Sequence, residues 1–257
     1  MISRGSWTSA TVGDRVADGD MTASIEVIRG DCFHVDLREH IGKVDLLICD
    51  PPYGEILDEE WDHECYAGLG HLAEGLLAAG GTAYVWGGVG THKNRPFFKW
   101  LAAVEDQTDL RLHNLITWGK KRAYGVQTNY LFTREEVAML VKGDKPKTFN
   151  VPLLDELRGY AGYNKKYPAK SAYKRRTNVW TDVTELLRGK IHKAEKPAKL
   201  AEIMIRTSSR PGDLVVDLFA GSGSTGVAAL AVGQRRCLLV EKSGCAMHAL
   251  DVSSETG

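Results

Sequence analysis

The stretch that most constrains the fold is the run DLFAGSGSTG at 217–226. It follows the apolar residues LVV, and its three glycines have the G-x-G-x-x-G spacing. A strand that enters a glycine loop and continues into a helix is typical of a nucleotide-binding turn. Glu241 follows Gly221 by 20 positions, where dinucleotide folds place an acidic ribose partner. The run therefore predicts one strand, one turn and one helix of an α/β sheet.

Only 31 residues follow Gly226, which is too few for the strands that such a fold needs after its glycine loop. The missing strands must come from the N-terminal half, where strand and helix patterns alternate. We therefore predict an α/β fold with a doubly wound, mostly parallel, seven-stranded sheet that is Rossmann-like and circularly permuted. Ligands bind such sheets at the carboxyl ends of the strands.

The individual elements follow from hydrophobic periodicity and from glycine and proline positions. Strands are predicted at 24–30, 44–50, 82–86, 112–118, 135–143, 213–219 and 235–241. Helices are predicted at 63–79, 92–104, 196–208, 224–233 and 245–250, the first of them ending at Gly80-Gly81. The segment GKKRAYG at 119–125 is predicted to be a loop, and 144–190 lacks clear periodicity.

The formal net charge is zero, but it is unevenly distributed. Residues 91–210 hold 25 Lys and Arg against 12 Asp and Glu, and the rest of the chain holds 8 against 21. A basic region of this kind can meet a polyanion while the remainder stays acidic. The charge pattern is thus compatible with a nucleic-acid partner.

Several classes of protein are disfavoured. The five cysteines form no C-x-x-C pair, which argues for a reducing compartment and against a disulfide framework. The spacing of His63, Cys65 and His71 is too weak a signal for a metal site, and none is predicted. The polar N-terminus and the lack of any apolar run of about 18 residues argue against a signal peptide and a membrane span. We expect a cytoplasmic protein.

The strand VDLLICD runs into Asp50-Pro51-Pro52-Tyr53. The two prolines have fixed φ and no N–H, so this loop forms neither helix nor ladder and keeps its carbonyls as acceptors. Asp50 and a proline carbonyl would be two acceptors facing one small donor such as an exocyclic NH₂, and Tyr53 offers a face for stacking a planar base. The alternative interpretation is a stiff turn in which Tyr53 packs at the rim.

Together these motifs resemble those of the DNA amino-methyltransferases, in the β arrangement of the family, where D/S-P-P-Y precedes F-x-G-x-G. The resemblance spans roughly residues 24–245 and includes NLITWGKK, REEVAMLVKG, TNVW and HKAEKP between the two anchors. It implies a class I methyltransferase fold with S-adenosylmethionine as cofactor. It also implies a catalytic half at 23–143, a target-recognition insertion at 144–190 and a cofactor-binding half at 191–257, whereas the polar residues 1–22 are expected to form a flexible leader.

The resemblance implies roles for individual residues. The catalytic set is Asp50, Pro51, Pro52 and Tyr53. The cofactor-binding set is Asp31, Cys32, Lys196, Asp217, Phe219, Ala220, Gly221, Ser222, Gly223, Ser224, Thr225 and Glu241. Within it, Glu241 would accept from the ribose hydroxyls, Asp31 and Cys32 would face the adenine, and Lys196 would line the methionine end, unless Lys196 is simply a solvated residue at a helix N-terminus.

The chemistry implied is methyl transfer to an exocyclic amine of a base flipped out of duplex DNA. Hydrogen bonds to Asp50 and the Pro51 carbonyl would localise the nitrogen lone pair for in-line attack on the methyl group. Family members with Asp at the first motif position mostly methylate adenine N6, so adenine is expected, with cytosine N4 as the alternative. Carbon-5 methylation is disfavoured because no Pro-Cys pair is present.

Residues 157–176 contain seven Lys and Arg, four Tyr and no acids, a composition suited to DNA contact. The expected DNA-binding residues are Lys120, Lys121, Arg122, Tyr160, Tyr163, Lys165, Lys166, Tyr167, Lys170, Tyr173, Lys174, Arg175 and Arg176. The alternative interpretation is a solvated basic loop without base contacts. We expect DNA binding to depend strongly on salt.

Other function classes remain. A nicotinamide oxidoreductase would share the glycine spacing and Glu241, but DPPY and the short remainder after the loop speak against it. A P-loop nucleotidase is excluded because no G-K-[ST] follows the loop. A catalytically idle nucleic-acid-binding module would share the basic region. The sequence leaves open the recognition site, a homodimer, a companion restriction nuclease, and whether a bacterium or a phage encodes the chain.

Overall fold

A computed structural model describes residues 23–52, 65–88, 90–125, 127–157, 171–185 and 195–242. The strands are β1 (Ser24–Arg29), β2 (Val44–Cys49), β3 (Leu77–Trp86), β4 (Leu110–Tyr124), β5 (Phe132–Lys142), β6 (Leu153–Leu157), β7 (Tyr173–Arg175), β8 (Val179–Trp180), β9 (Leu214–Asp217) and β10 (Arg236–Glu241). The helices are α1 (Leu69–Leu76), α2 (Gly90–Gln107), α3 (Ala198–Ser208) and α4 (Ser224–Val232). The predicted leader at 1–22 and the predicted helix at 245–250 lie outside the described residues.

The main sheet has the strand order β1-β10-β9-β2-β3-β5-β4-β8. The first five strands are mutually parallel, β5 is antiparallel to β3 and β4, and β8 is parallel to β4. Two strands from the C-terminal part of the chain, β10 and β9, therefore lie between β1 and β2 from the N-terminal part, which confirms the permuted α/β fold. The sheet has one strand more than the seven predicted, because the two-residue β8 adds to its edge.

Helices cover both faces of the sheet. Leu46 and Ile48 of β2 belong to the core that contains α3 and α4, whereas Leu47 and Cys49 belong to the core that contains α1 and α2. Each of these β2 side chains is at most 4% exposed. A strand covered on both faces is apolar almost throughout, as the sequence of β2 shows. The doubly wound arrangement is confirmed.

The predicted helix at 63–79 is wrong at its C-terminal end. The helix ends at Leu76 and the chain enters β3 at Leu77, whose register partner is Val44. Gly80 has φ of +72°, and a Cβ on Gly81 would lie 2.9 Å from the carbonyl oxygens of Val44 and Ala78. The two glycines serve an irregularity inside a strand rather than a helix stop, because only they tolerate this backbone and this close approach.

The segment at 119–125, predicted to be a loop, mostly continues β4, which pairs with β5. The predicted insertion at 144–190 contains strands that its sequence did not reveal. β6 and β7 form a separate antiparallel pair, and β8 joins the main sheet beside β4. No helix in the described ranges has the length and apolar character of a membrane span.

Candidate active site

The two sequence anchors leave neighbouring strands. β2 and β9 are parallel, and Ile48 is the register partner of Asp217. Asp50 lies just beyond the carboxyl end of β2, and the glycine loop begins just beyond the carboxyl end of β9. The prediction that these two distant segments meet at one edge of the sheet is confirmed by this register.

The glycine loop has a backbone that its glycines make possible. Gly221 and Gly223 have φ of +53° and +89°, values that other L-residues rarely adopt. Gly223 caps the N-terminus of α4, and its N–H donates to the Ala220 carbonyl at 2.8 Å. Among the described residues, a Cβ on Gly221 would meet only the Phe219 carbonyl oxygen, at 3.9 Å. The protein therefore leaves space at Gly221, beside the positive end of a helix dipole.

Two carboxylates fix this loop from inside the protein. Asp217 accepts hydrogen bonds from the Phe219 N–H at 2.9 Å and from the Thr225 hydroxyl at 2.5 Å. Glu241, at the end of β10, accepts from the Gly221 N–H at 2.6 Å. Burial raises the pKa of Asp217 to about 7, although its two hydrogen bonds lower the pKa in part. The loop is thus held by residues that lie close to it in sequence or on the adjacent strand.

The remaining predicted cofactor residues divide into two groups. Ala220, Ser222 and Thr225 are buried, whereas Phe219 and Ser224 are half-buried. The Thr225 hydroxyl donates its proton to Asp217, so its role towards a cofactor stays a prediction.

Asp31 and Cys32 follow β1, beside the end of β10. Asp31 accepts the Phe33 N–H at 3.0 Å, and its Oδ2 lies 3.3 Å from the Lys242 ammonium. Burial would raise the pKa of Asp31, but the Phe33 N–H and Lys242 outweigh it and lower the pKa. Burial raises the pKa of the Cys32 thiol to about 12, and Asp31 adds to that shift. The Cys32 thiol is therefore neutral at physiological pH.

Asp50 forms an ion pair with a residue predicted for the cofactor. The Lys196 ammonium lies 2.6 Å from Asp50 Oδ2 and 3.2 Å from Glu135 Oε2. Pro51 is buried and Pro52 half-buried, whereas Tyr53 lies outside the described residues. Lys196 thus contacts the predicted catalytic carboxylate, and its position at the methionine end of a cofactor stays a prediction.

Two functional candidates were missed in the sequence. Glu135, on β5, is only 5% exposed and pairs with both Lys196 and Lys120. Tyr66 donates from its hydroxyl to the Trp86 carbonyl at 2.7 Å, and burial together with Asp50 raises its pKa well above the usual range. The signal for Glu135 was its position beside the apolar run VAMLV, where a strand is buried and an acid needs partners.

The predicted DNA-binding residues are partly described. Lys121 and Arg122 are exposed on β4, and Tyr173, Lys174 and Arg175 are exposed on β7. Two expectations are not met. The Lys120 side chain is 14% exposed and pairs with Glu135, and Arg176 is 8% exposed and pairs with Asp182 at 2.5 Å. Tyr160, Tyr163, Lys165, Lys166, Tyr167 and Lys170 lie outside the described residues.

Comparison with known proteins agrees with the two sequence motifs of the site. A family model described as DNA methylase matches residues 44–248. The Type II methyltransferase M.BamHI of Bacillus amyloliquefaciens is 27% identical over 226 residues, which cover 78% of this chain and 50% of the relative. The DNA adenine methyltransferase YhdJ of Escherichia coli (strain K12) is 29% identical over 81% of this chain and 76% of the relative. The chain spans only 50% and 59% of the lengths of M.BamHI and M.HpaI.

Solved structures share the fold. The cytosine-N4-specific PvuII DNA methyltransferase has a TM-score of 0.64 at 19% identity, covering 86% of this chain and 82% of that one. The complex of M1.HpyAVI with S-adenosylmethionine has a TM-score of 0.59 at 20% identity, covering 90% and 98%. At these identities the likeness shows the architecture, an α/β sheet of the same kind.

Proposed function

The chain belongs to the DNA methylase family that comprises N6 and N4 amino-methyltransferases, and from that premise we propose that it methylates the exocyclic N6 of adenine in double-stranded DNA, using S-adenosylmethionine. One observation carries the proposal. The parallel pairing of β2 with β9 brings Asp50-Pro51-Pro52 and the glycine loop to the same edge of the sheet. A methyl acceptor and a methyl donor must meet at such a place.

The glycine loop fits a cofactor with a carboxylate and a ribose. The open space at Gly221 admits a ligand close to the backbone, and the N-terminus of α4 favours an anion. Glu241, already oriented by the Gly221 N–H, is proposed to accept from the ribose hydroxyls, and the Asp31–Cys32 segment beside it is proposed to face the adenine. S-adenosylmethionine supplies an electrophilic methyl group when bound.

Asp50 and the Pro51 carbonyl are the acceptors for the amine. Hydrogen bonds from an aromatic NH₂ to both would pull the nitrogen toward tetrahedral geometry and localise its lone pair. The buried amine of a duplex base reaches these acceptors only after the base flips out. Positioning supplies much of the rate, because the bound groups no longer have to find each other. Tyr53 is proposed to stack on the flipped base.

Adenine is favoured over cytosine by two observations. The first motif residue is Asp50, which the adenine-specific members of the family mostly share, and YhdJ, named an adenine methyltransferase, aligns with 81% of this chain. Cytosine N4 is the second candidate, since the PvuII enzyme has the same fold. Because M.BamHI and M.HpaI are Type II methyltransferases, we propose a cognate restriction nuclease as partner.

Mass spectrometry of DNA from expressing cells tests the proposal. Cells that express the wild type should contain N6-methyladenine above background in a host lacking adenine methylation, and cells that express Asp50→Ala should not. Asp109→Ala, at an exposed aspartate 59 positions after Asp50, is the control and should methylate normally. N4-methylcytosine instead would establish the second candidate. Neither base in the wild type would overturn the proposal and leave the idle DNA-binding module.

A further inference from the structure

Four charged side chains form a linear cluster beside the proposed acceptor site. Lys120 pairs with Glu135, Glu135 pairs with Lys196, and Lys196 pairs with Asp50. All four side chains are largely buried, and Asp50, at 24% exposed, is the most accessible. With both lysines protonated and both carboxylates ionised, the cluster has no net charge.

Strand register explains why these residues meet. Asp50 follows Cys49, whose register partner on β3 is Val85, so Asp50 lies level with Trp86. On the other side of β3, the partner of Trp86 is Val137, and Glu135 precedes it by two residues on the same face of β5. Glu135 is in turn the register partner of Trp118 on β4, and Lys120 follows Trp118 by two residues on that strand. Lys196 enters from the segment that precedes α3.

Two tryptophans cover the lysines. The Lys196 ammonium lies 4.9 Å from the centre of the Trp86 ring, and the Lys120 ammonium lies 5.1 Å from that of Trp118. The two rings contact each other edge to face, with centroids 5.8 Å apart. Aromatic faces attract cations and exclude water, so charges in this cluster are weakly screened. Loss of one charge will therefore change the electrostatic energy of the charges next to it.

The charges of the lysines and of Glu135 depend on one another. Burial lowers the pKa of Lys196, but the two carboxylates outweigh it and the pKa is raised. Burial raises the pKa of Glu135, but Lys196 and Lys120 outweigh it and the pKa is lowered. Both residues are therefore charged at neutral pH. If the Glu135 carboxylate were replaced by an amide, Asp50 would be the one acid left in this four-residue cluster to balance Lys120 and Lys196.

From this arrangement, which rests on the proposed function, we propose that Glu135 is a positioning residue for methyl transfer. Through Lys196 it fixes Asp50, and with Lys120 it keeps the cluster neutral. In the reaction the amine nitrogen forms a bond to the methyl carbon as the carbon–sulfur bond breaks, and the sulfonium becomes a neutral thioether. The nitrogen gains the positive charge and then loses a proton to Asp50 or to water. An unbalanced lysine beside that nitrogen would oppose the transition state.

Charge-balance variants test this role. Glu135→Gln leaves a net charge of +1 and should lower kcat by about 100-fold, in the range typical of a lost electrostatic contact to a transition state. Lys120→Met leaves −1 and should lower kcat by less than about 5-fold, because an extra negative charge does not oppose a cationic nitrogen. The double variant Glu135→Gln/Lys120→Met is neutral again and should recover at least about 10-fold of the lost kcat. KM for S-adenosylmethionine should stay within about 3-fold throughout, because the cluster acts on the acceptor side.

Glu136→Gln is the matched control. Glu136 is the next residue on β5, equally buried, and its carboxylate accepts from the Thr117 hydroxyl at 2.7 Å and pairs with Arg134 rather than with the cluster. Its kcat should equal that of the wild type. Methyl incorporation into unmethylated genomic DNA gives the rates, and thermal unfolding shows that each variant is folded at the assay temperature.

The outcomes separate the two claims. Rescue of kcat by the double variant supports the positioning role when every variant is folded at the assay temperature, because a gain in folding stability alone does not raise the kcat of protein that is already folded. A double variant no faster than Glu135→Gln, or a Glu135→Gln variant as active as Glu136→Gln, overturns the inference while the methylation itself stands. A wild type that methylates no DNA overturns the proposed function and the inference with it.

Discussion

The two sides of the proposed active site are built in different ways. The glycine loop is fixed by Asp217, Thr225 and Glu241, which lie within it or on the next strand, and its hydrogen bonds are direct and short. Asp50 is fixed by Lys196, which follows it by 146 positions and depends in turn on Glu135 and Lys120 from two other strands. The glycine loop is thus fixed by residues close to it in sequence or on the adjacent strand, whereas Asp50 is fixed by residues that the tertiary structure brings together from distant parts of the chain.

This difference has a consequence for mutation. A lesion in the glycine loop changes backbone shape and should affect ligand binding. A lesion in the charge cluster changes the electric field at Asp50 and should affect the chemical step. Variants that separate binding from turnover therefore test whether the two sides are independent.

The largest effect is expected from Gly221→Val. A β-branched residue at φ of +53° is strained by roughly 1–3 kcal/mol, and its side chain would fill the space proposed for the cofactor. The dissociation constant for S-adenosylmethionine should rise by about 100-fold or more, the combined result of strain and lost contact. Isothermal titration calorimetry measures it. Gly75→Ala, in a helix with open space around its Cα, is the control and should bind normally; normal binding by Gly221→Val would remove the loop from the cofactor site.

Lys196→Met gives the sharpest test of independence. Loss of the cation leaves Asp50 without the ion pair at 2.6 Å, and kcat should fall by about 100-fold as for other contacts that orient a catalytic group. The dissociation constant for S-adenosylmethionine should change by less than about 3-fold, because Lys196 holds Asp50. The reverse result, weak cofactor binding with normal kcat, would return Lys196 to the methionine end. Circular dichroism is needed beside the kinetics, since removal of one partner of a buried ion pair destabilises a fold by about 3–5 kcal/mol.

The same division explains what the sequence could predict. The strand–glycine–helix unit and DPPY are contiguous, and their residue types dictate local backbone, so both anchors and their meeting at one sheet edge were predicted correctly. Glu135 and Lys120 lie on strands whose pairing is set by long-range register, which no short motif encodes. The helix boundary before Gly80 was wrong for a related reason, because pairing of Leu77 with Val44 outweighs local helical periodicity.

Asp217 offers a smaller effect that concerns stability alone. Its pKa is raised from an ordinary 3.8 to about 7 by burial. The folded state thus binds a proton that the unfolded chain releases, so this group stabilises the fold below about pH 4, and the contribution is lost as pH rises through 7. Asp217→Asn keeps the size of the side chain and cannot titrate. The difference in unfolding free energy between wild type and variant should therefore change by a few kcal/mol between pH 4 and 8, on the scale of 1.36 kcal/mol per pKa unit.

Urea unfolding at several pH values measures this difference. Asp36→Asn is a suitable comparison, because Asp36 is an exposed acid whose pKa is lowered to about 2 by Arg38, so it should not titrate in this window. If the difference in unfolding free energy between wild type and Asp217→Asn does not change with pH, the loop tolerates an ionised Asp217. The hydrogen bonds from the Phe219 N–H and the Thr225 hydroxyl would then compensate for the burial of the carboxylate.

The smallest effects are expected on the surface that is predicted to face DNA, where the two modes of construction meet on one strand. Lys121 and Arg122 are exposed on β4, whereas Lys120, one position earlier, is committed to Glu135. Each phosphate contact contributes about 0.9 to the slope of log affinity against log salt. The pair Lys121→Ala/Arg122→Ala should therefore lower the slope by about 1–2, and Arg176→Ala, whose partner is Asp182, by less than about 0.5. Fluorescence anisotropy with a duplex at several salt concentrations gives the slopes. Equal slopes for all three proteins would place the DNA elsewhere, and an Arg176→Ala slope as low as that of the pair would show that ion-paired arginines exchange their partner for phosphate.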